Sequence, residues 1–147
     1  MTDIDEAQAR AAARLSNDYL LRTVRLLVDL HRGELLRAVI LQAISAANTS
    51  HVDRKGPLEP GAEPVPPDSA RRPVSVSAVS QGLGLPFETV RRNINRMIEE
   101  GLCVRVRGGV IVPEATMRSE KATAAAAVNL QNLRKLYRDL RRAGVEV

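Results

Sequence analysis

Val74-Ser75-Val76-Ser77-Ala78-Val79-Ser80-Gln81-Gly82-Leu83-Gly84-Leu85-Pro86-Phe87-Glu88-Thr89-Val90-Arg91-Arg92-Asn93-Ile94-Asn95-Arg96-Met97 is the stretch that decides the fold. Ser75 can cap a short helix, because its hydroxyl can accept from an orphan first-turn amide. Val76, Val79 and Leu83 then share one face, and Ser80 is small where another helix would cross closely. Gly84 can take a positive φ and end that helix sharply, and Leu85 can plug the turn. A second helix is predicted from Pro86 or the next residue, where a missing N–H costs least. Glu88 in its first turn suits the dipole. Val90, Ile94, Met97 and Ile98 form its inward stripe. Phe87, Glu88, Thr89, Arg91, Arg92, Asn93, Asn95 and Arg96 lie largely off that stripe. Gly101 ends the helix.

The outward face is rich in hydrogen-bonding groups and poor in hydrocarbon. Arg can fork onto guanine or phosphate, and Asn can pair with adenine. Arg91, Arg92 and Arg96 could equally serve phosphates, and Glu88 could either accept from cytosine N4 or cap the helix. Next comes Leu102-Cys103-Val104-Arg105-Val106-Arg107-Gly108-Gly109-Val110-Ile111-Val112-Pro113. Alternation on both sides of a Gly-Gly pair predicts a tight hairpin turning at Gly108 and Gly109. Arg107 then opposes Val110, Val106 opposes Ile111 and Arg105 opposes Val112. Val104, Val106 and Ile111 face inward, with Arg105 and Arg107 on the other face near the tip.

Helix, tight turn, Arg/Asn-faced helix and basic hairpin follow one another in the order of a winged helix-turn-helix. Residues 74–113 resemble bacterial winged-helix transcription regulators, with MarR-like and IclR-like DNA-binding domains nearest in pattern. The Leu83-Gly84-Leu85-Pro86 turn, the Thr89-Val90-Arg91-Arg92 start and the Glu99-Glu100-Gly101-Leu102 exit carry the likeness. The resemblance implies that residues 86–98 are a recognition helix for the major groove and Arg105 to Gly109 a wing for the backbone or minor groove. The candidate DNA-binding set is therefore Ser75, Phe87, Glu88, Thr89, Arg91, Arg92, Asn93, Asn95, Arg96, Arg105, Arg107, Gly108 and Gly109. The partner implied is duplex DNA, and the location cytoplasmic, at a bacterial nucleoid. An interaction or architectural protein, coating DNA without sequence preference or docking other proteins, is the alternative.

Charge supports an anionic partner. Formal net charge is +5, built almost wholly from arginine, since Lys55, Lys121 and Lys135 are the only lysines. Residues 71–107 carry seven Arg against Glu88, Glu99 and Glu100, and residues 118–147 seven basic against three acidic side chains, whereas residues 1–70 are slightly acidic. Aromatic residues are 2% of the 147, which argues against stacking platforms for single-stranded bases. One Cys excludes an internal disulfide framework and any multi-cysteine zinc site, and His31 and His51 stand alone. No cofactor or metal is expected, and no acid, base and nucleophile set suggests an enzyme. Gly82-x-Gly84 lacks the third glycine and the βαβ context of a dinucleotide site. Cys103 reads as an apolar filler rather than a redox sensor, and His31 as a helix-surface or interface residue. No run is long enough to span a bilayer, and the acidic start is unlike a signal peptide.

The fold class predicted is mainly α with a small β-hairpin, a winged helix-turn-helix flanked by long N- and C-terminal helices. Residues 1–14 read as a flexible tail leading into a helix. Over 15–47, Leu20, Leu21, Val24, Leu27, Val28, Leu35, Leu36, Val39, Ile40 and Ile44 recur at helical steps, in a stripe wider than one core face needs. Gly33 either divides two helices or weakens one. This segment is expected to supply dimerisation and the first helix of the winged-helix core. Residues 48–73 hold six of the eight prolines and read as a mobile loop. Its PxxP patterns (Pro57-Leu58-Glu59-Pro60 and Pro64-Val65-Pro66-Pro67) are too common to count as a motif. Residues 114–147 read as a second long helix ending at Gly144, with Leu130, Leu133, Tyr137 and Leu140 on an a/d seam. That seam, with Leu20, Val24 and Leu27, is the candidate homodimer interface. A small-molecule effector is compatible with the broad apolar stripe but is not identified by it.

Overall fold

The computed structural model describes residues 5–52 and 60–147. In chain order the elements are α1 (Glu6–Leu30), α2 (Leu35–Thr49), a 3-10 turn (Asp68–Ala70), α3 (Val76–Leu83), α4 (Phe87–Glu99), β1 (Val104–Val106), β2 (Gly109–Ile111), α5 (Glu114–Met117) and α6 (Glu120–Arg142). The chain is mainly helical with one small antiparallel hairpin, a winged helix flanked by long helices.

Two layers make up the architecture. The first is a core in which α2 packs on α3, α4 and β2. Ile40, Ile44, Val90, Ile94, Met97, Cys103, Val110 and Val112 are its fully buried side chains. The second is an arm in which α1 and α6 lie side by side in opposite directions. Tyr19 donates its hydroxyl to Asn129 Oδ1 at 2.7 Å, and Lys135 Nζ lies 3.6 Å from Asp18. No residue of α1 is fully buried.

Several expectations are decided or corrected. The flexible tail expected over 1–14 is helical from Glu6, because Asp5 accepts from the amides of Ala7 and Gln8 and opens an alanine-rich helix that lies along α6. Residues 1–4 lie outside the described residues. Gly33 separates two helices: Arg32 and Gly33 both take positive φ (53° and 88°), which no helix can continue through. The long helix expected over 114–143 is divided, since Ser119 leaves the helix and accepts from Ala122 N at 3.2 Å to cap α6.

The loop expected over 48–73 is tied down at both of its described ends. Asn48 is the last buried residue of α2, Arg72 N donates to Asn48 O at 2.9 Å, and Arg71 is buried with Nη2 on Pro66 O at 3.1 Å. The proline count hid these polar tethers. Residues 53–59, including Pro57 and most of the first PxxP pattern, lie outside the described residues.

In the hairpin the pairs are Val104 with Ile111, Arg105 with Val110, and Val106 with Gly109, so the turn is Arg107–Gly108. This is a slip of two residues from the expected register, which keeps each side chain on its expected face. The inward assignment holds for Ile111, which is buried, but not for Val104, which is 43% exposed, and Val110 and Val112 on the other face are fully buried as well. The cause is a third backbone segment. Val74 and Val110 exchange both amide hydrogen bonds (3.1 and 2.9 Å) on the far side of β2. A Cβ on Gly109 would sit 2.3 Å from Val74 O.

Asn48 joins these pieces. Its amide nitrogen donates to Arg72 O (2.7 Å) and Val110 O (3.1 Å), and its Oδ1 accepts from Val112 N (2.9 Å). Asn48→Ala leaves buried backbone groups unpaired and is expected to lower unfolding free energy by about 2–4 kcal/mol. Urea denaturation of the two proteins checks this, with Gly109→Ala expected to be at least as damaging because the clash is with backbone.

Candidate nucleic-acid interface

The helix-turn-helix is built locally. Ser75 Oγ accepts from Ala78 N at 3.0 Å and opens α3. Gly84 closes it in the left-handed region at φ 66°, where a residue bearing Cβ is disfavoured. Leu85 N donates to Ser80 O (3.1 Å), and Ser80 Oγ donates back to Leu85 O (2.7 Å). The turn angle is thus fixed by two residues five apart. α4 then presents Val90, Ile94 and Met97, all fully buried, to the core.

The opposite face of α4 is solvent-facing and mostly paired with itself. Glu88 accepts from Arg91 Nε (2.8 Å) and Nη2 (2.6 Å) and from Arg92 Nε (3.2 Å). Hydrogen bonding from Arg91, followed by its charge and the pairing with Arg92, holds the Glu88 carboxyl down to about 2. The trio is a cluster of two cations and one anion, and Arg92 remains 73% exposed in its side chain. Phe87, 51% exposed, is the one large apolar side chain at the start of this face. Asn95 Oδ1 accepts from Arg105 Nη2 at 3.0 Å, so helix and wing share one polar contact. Arg105, Arg107 and Gly108 are exposed at the wing.

Other candidates are placed elsewhere. Arg96 turns away from this cluster: its Nη2 donates to Glu34 Oε1 at 3.0 Å, at the start of α2. Asn93 folds its amide onto the carbonyl of Thr89 (2.8 Å) within its own helix. Thr89 is half-buried. Gly109 is held against the Val74 backbone, a packing role rather than a contact with a ligand. The oxygen of Ser75 is committed to capping α3. Glu88, Arg91 and Arg92 are brought together on α4, and Asn95 with Arg105 across helix and wing, while Phe87, Arg107 and Gly108 are exposed.

Sequence reasoning missed a second charged group. Arg37, with its side chain 12% exposed, pairs with Glu34 (3.1 Å) and with Glu100. The Arg37 hydrogen bond lowers the Glu100 carboxyl. Glu34 in turn holds Arg96. The signal was an Arg on the apolar stripe of α2, which periodicity had no means of pairing. His31 is also buried rather than on the surface, and desolvation lowers its pKa toward a neutral imidazole. Cys103 is 1% exposed, and burial pushes its thiol up to about 11, the state of an inert filler. Among the described residues, no cluster of three or more His, Cys, Asp or Glu is placed to hold a metal, and no helix is long and apolar enough to cross a membrane.

Residues 69–116 match the family model of the DeoR-like helix-turn-helix domain. The segment is a helix-turn-helix domain of the kind that binds DNA. The match is to the DeoR-like family rather than to the MarR-like or IclR-like domains that the turn resembles. No curated protein and no solved structure matches the chain. The helix-turn-helix domain carries seven Arg against four Glu, so its free surface is cationic, as duplex binding requires. Because the Glu88 value is depressed, its pairing is present at neutral pH and lost as pH falls through about 2. A carboxyl-detected NMR titration should place Glu88 near that value, and in Arg91→Ala it should climb toward the ordinary glutamate value of about 4.3.

Proposed function

We propose that this chain is a dimeric transcription regulator that binds duplex DNA sequence-specifically, with α4 in the major groove and the β1–β2 wing on the phosphates. By occupying its site it would act as a repressor at the nucleoid. The observation that carries this reading is the exposed cluster of Arg91, Arg92 and Arg105 around Glu88 and Asn95, on the second helix of a helix-turn-helix domain. Such a cluster has both the charge for phosphates and the amide and carboxylate acceptors for base edges.

The dimer reading rests on the arm. Leu20 (56%), Leu130 (47%) and Tyr137 (57%) are exposed on α1 and α6 beside Leu21 and Val128. An apolar patch of this kind on a helical arm favours a partner helix. Leu140 is buried within the chain, and Val24, Leu27 and Leu133 are half-buried. The proposed interface is therefore narrower than the a/d seam, because the two sides of that seam face different surfaces.

Selection from random duplexes is expected to enrich a two-fold symmetric site, and flat recovery would favour an architectural or docking module instead. On the selected site Arg92→Ala should weaken binding about tenfold, with affinity falling steeply as salt rises. In light scattering, Leu20→Glu with Tyr137→Glu should convert a dimer to a monomer; wild-type protein that is monomeric at about 50 μM, weaker than specific dimers require, would end the dimer reading.

A further inference from the structure

A cavity of about 920 Å³ lies between the α1–α6 arm and the helix-turn-helix domain. Its size is that of a small-molecule site. Leu27 and Leu30 of α1, Leu41 of α2, Leu102, and Ala122 and Ala126 of α6 give it an apolar wall. Its polar rim is unbalanced: Arg32, Arg37, Arg96 and Lys121 stand against two carboxylates, Glu34 and Glu100. Two nitrogens on this lining are stranded. His31, 9% exposed, has no hydrogen-bond partner for Nε2 among the described residues, and neither does Arg37 Nε. A buried polar group left unmatched is costly, so each nitrogen favours the arrival of an acceptor.

We propose that this cavity binds a small amphipathic carboxylate, its apolar body against the leucine and alanine wall and its oxyanion on His31 Nε2 and Arg37 Nε. The excess of two positive charges selects an anion over a neutral analogue. The site also touches α4. Arg37 is shared between Glu34 and Glu100, and Arg96 of α4 is held by Glu34. A carboxylate on Arg37 Nε shares one guanidinium charge with Glu34 on Nη1 and Glu100 on Nη2, weakens both pairings, and so loosens the tie between the end of α4 and the start of α2. This second step rests on the DNA-binding reading above; the binding of the carboxylate does not.

The test uses the full chain and 8-anilinonaphthalene-1-sulfonate, a fluorescent amphipathic anion. One saturable site per chain is expected, with octanoate displacing the dye at concentrations about tenfold lower than octanol, the preference of a charge-assisted contact. Ala126→Trp and Ala122→Leu, which fill the cavity from α6, should abolish the site, and His31→Leu should weaken it. Arg138→Ala, an exposed cation of the arm outside the cavity, should leave it unchanged. Equal displacement by octanol, retention of the dye in both filled variants, or its loss in Arg138→Ala would overturn the site, the last two by tracing the dye to the arm's surface. Circular dichroism confirms that each variant is folded. Saturating octanoate should then lower affinity for the selected duplex severalfold. Unchanged duplex affinity with octanoate bound would overturn the coupling alone, while failure of the unliganded chain to bind any duplex would overturn the DNA-binding reading and leave the cavity standing.

Discussion

The buried amide of Asn48 is the contact on which the rest of the helix-turn-helix domain depends. It lies in the last turn of α2, yet three of its hydrogen bonds reach backbone at Arg72, Val110 and Val112. Arg72 O and Val112 N have no ladder partner there and Val110 O has only the single bridge to Val74 N, because β1 and β2 are only three residues each. A side-chain amide, with two donors and two lone pairs, can satisfy both kinds of backbone group in a dry site where water cannot. A short hairpin is marginal alone. Here it is held to the central helix, and its position relative to α4 follows.

That constraint explains how a small wing can be placed with little sequence devoted to it. With Val110 and Val112 pinned, Gly109 must pass so close to Val74 that no side chain fits, and the turn is pushed one residue earlier, to Arg107–Gly108. The arginines of β1 then stand beside α4, where Arg105 meets Asn95. The cationic face is therefore a composite of helix and hairpin. It is also partly self-neutralised. Glu88 keeps Arg91 and Arg92 ordered as a pair, which reduces the rotamer freedom they would lose on meeting phosphate. Exposed ion pairs contribute only about 0–1 kcal/mol each, so exchanging them for phosphate contacts costs little.

Legibility from sequence followed the range of the interactions. The α3–turn–α4 unit was readable because its determinants are local: the Ser75 cap, the left-handed Gly84 and the 3.6-residue stripe of Val90, Ile94 and Met97 all act within a few residues. The hairpin was readable as a hairpin, but its register was not, since Gly108-Gly109 permits more than one turn and the choice is made by Val74, thirty-five residues before Gly109. The partners of Arg96 and Arg37 were illegible for the same reason. An arginine on a helix face looks the same whether it points to solvent or to a glutamate sixty residues away, as Arg96 does to Glu34. Composition misled in the proline-rich segment, where Arg71, Arg72 and Asn48 outweigh the prolines near its ends. The alanine-rich start of α1 looks frayed in sequence because nothing local can hold it; what holds it is α6.

These contacts differ sharply in how easily they can be exchanged, and the difference falls along the boundary between domain and arm. Within the domain, the links are buried amide–backbone bonds and close-packed apolar side chains, whose loss leaves unsatisfied groups or voids. At the edge of the core that faces the arm, Glu34, Arg37, Arg96 and Glu100 tie the start of α2 to the end of α4 in a network open to solvent on most of its members, and solvated charges re-pair at low cost. Beside that network sit a hollow with stranded donors and an α1 that buries no residue completely. A perturbation applied there would therefore shift the start of α2, and the arm that leads into it, against the end of α4 before it disturbed the Asn48 joint. In a dimer joined through its arms, such a movement changes the spacing of two α4 helices while each helix-turn-helix domain stays intact, and half-site spacing is the quantity to which paired recognition helices are most sensitive.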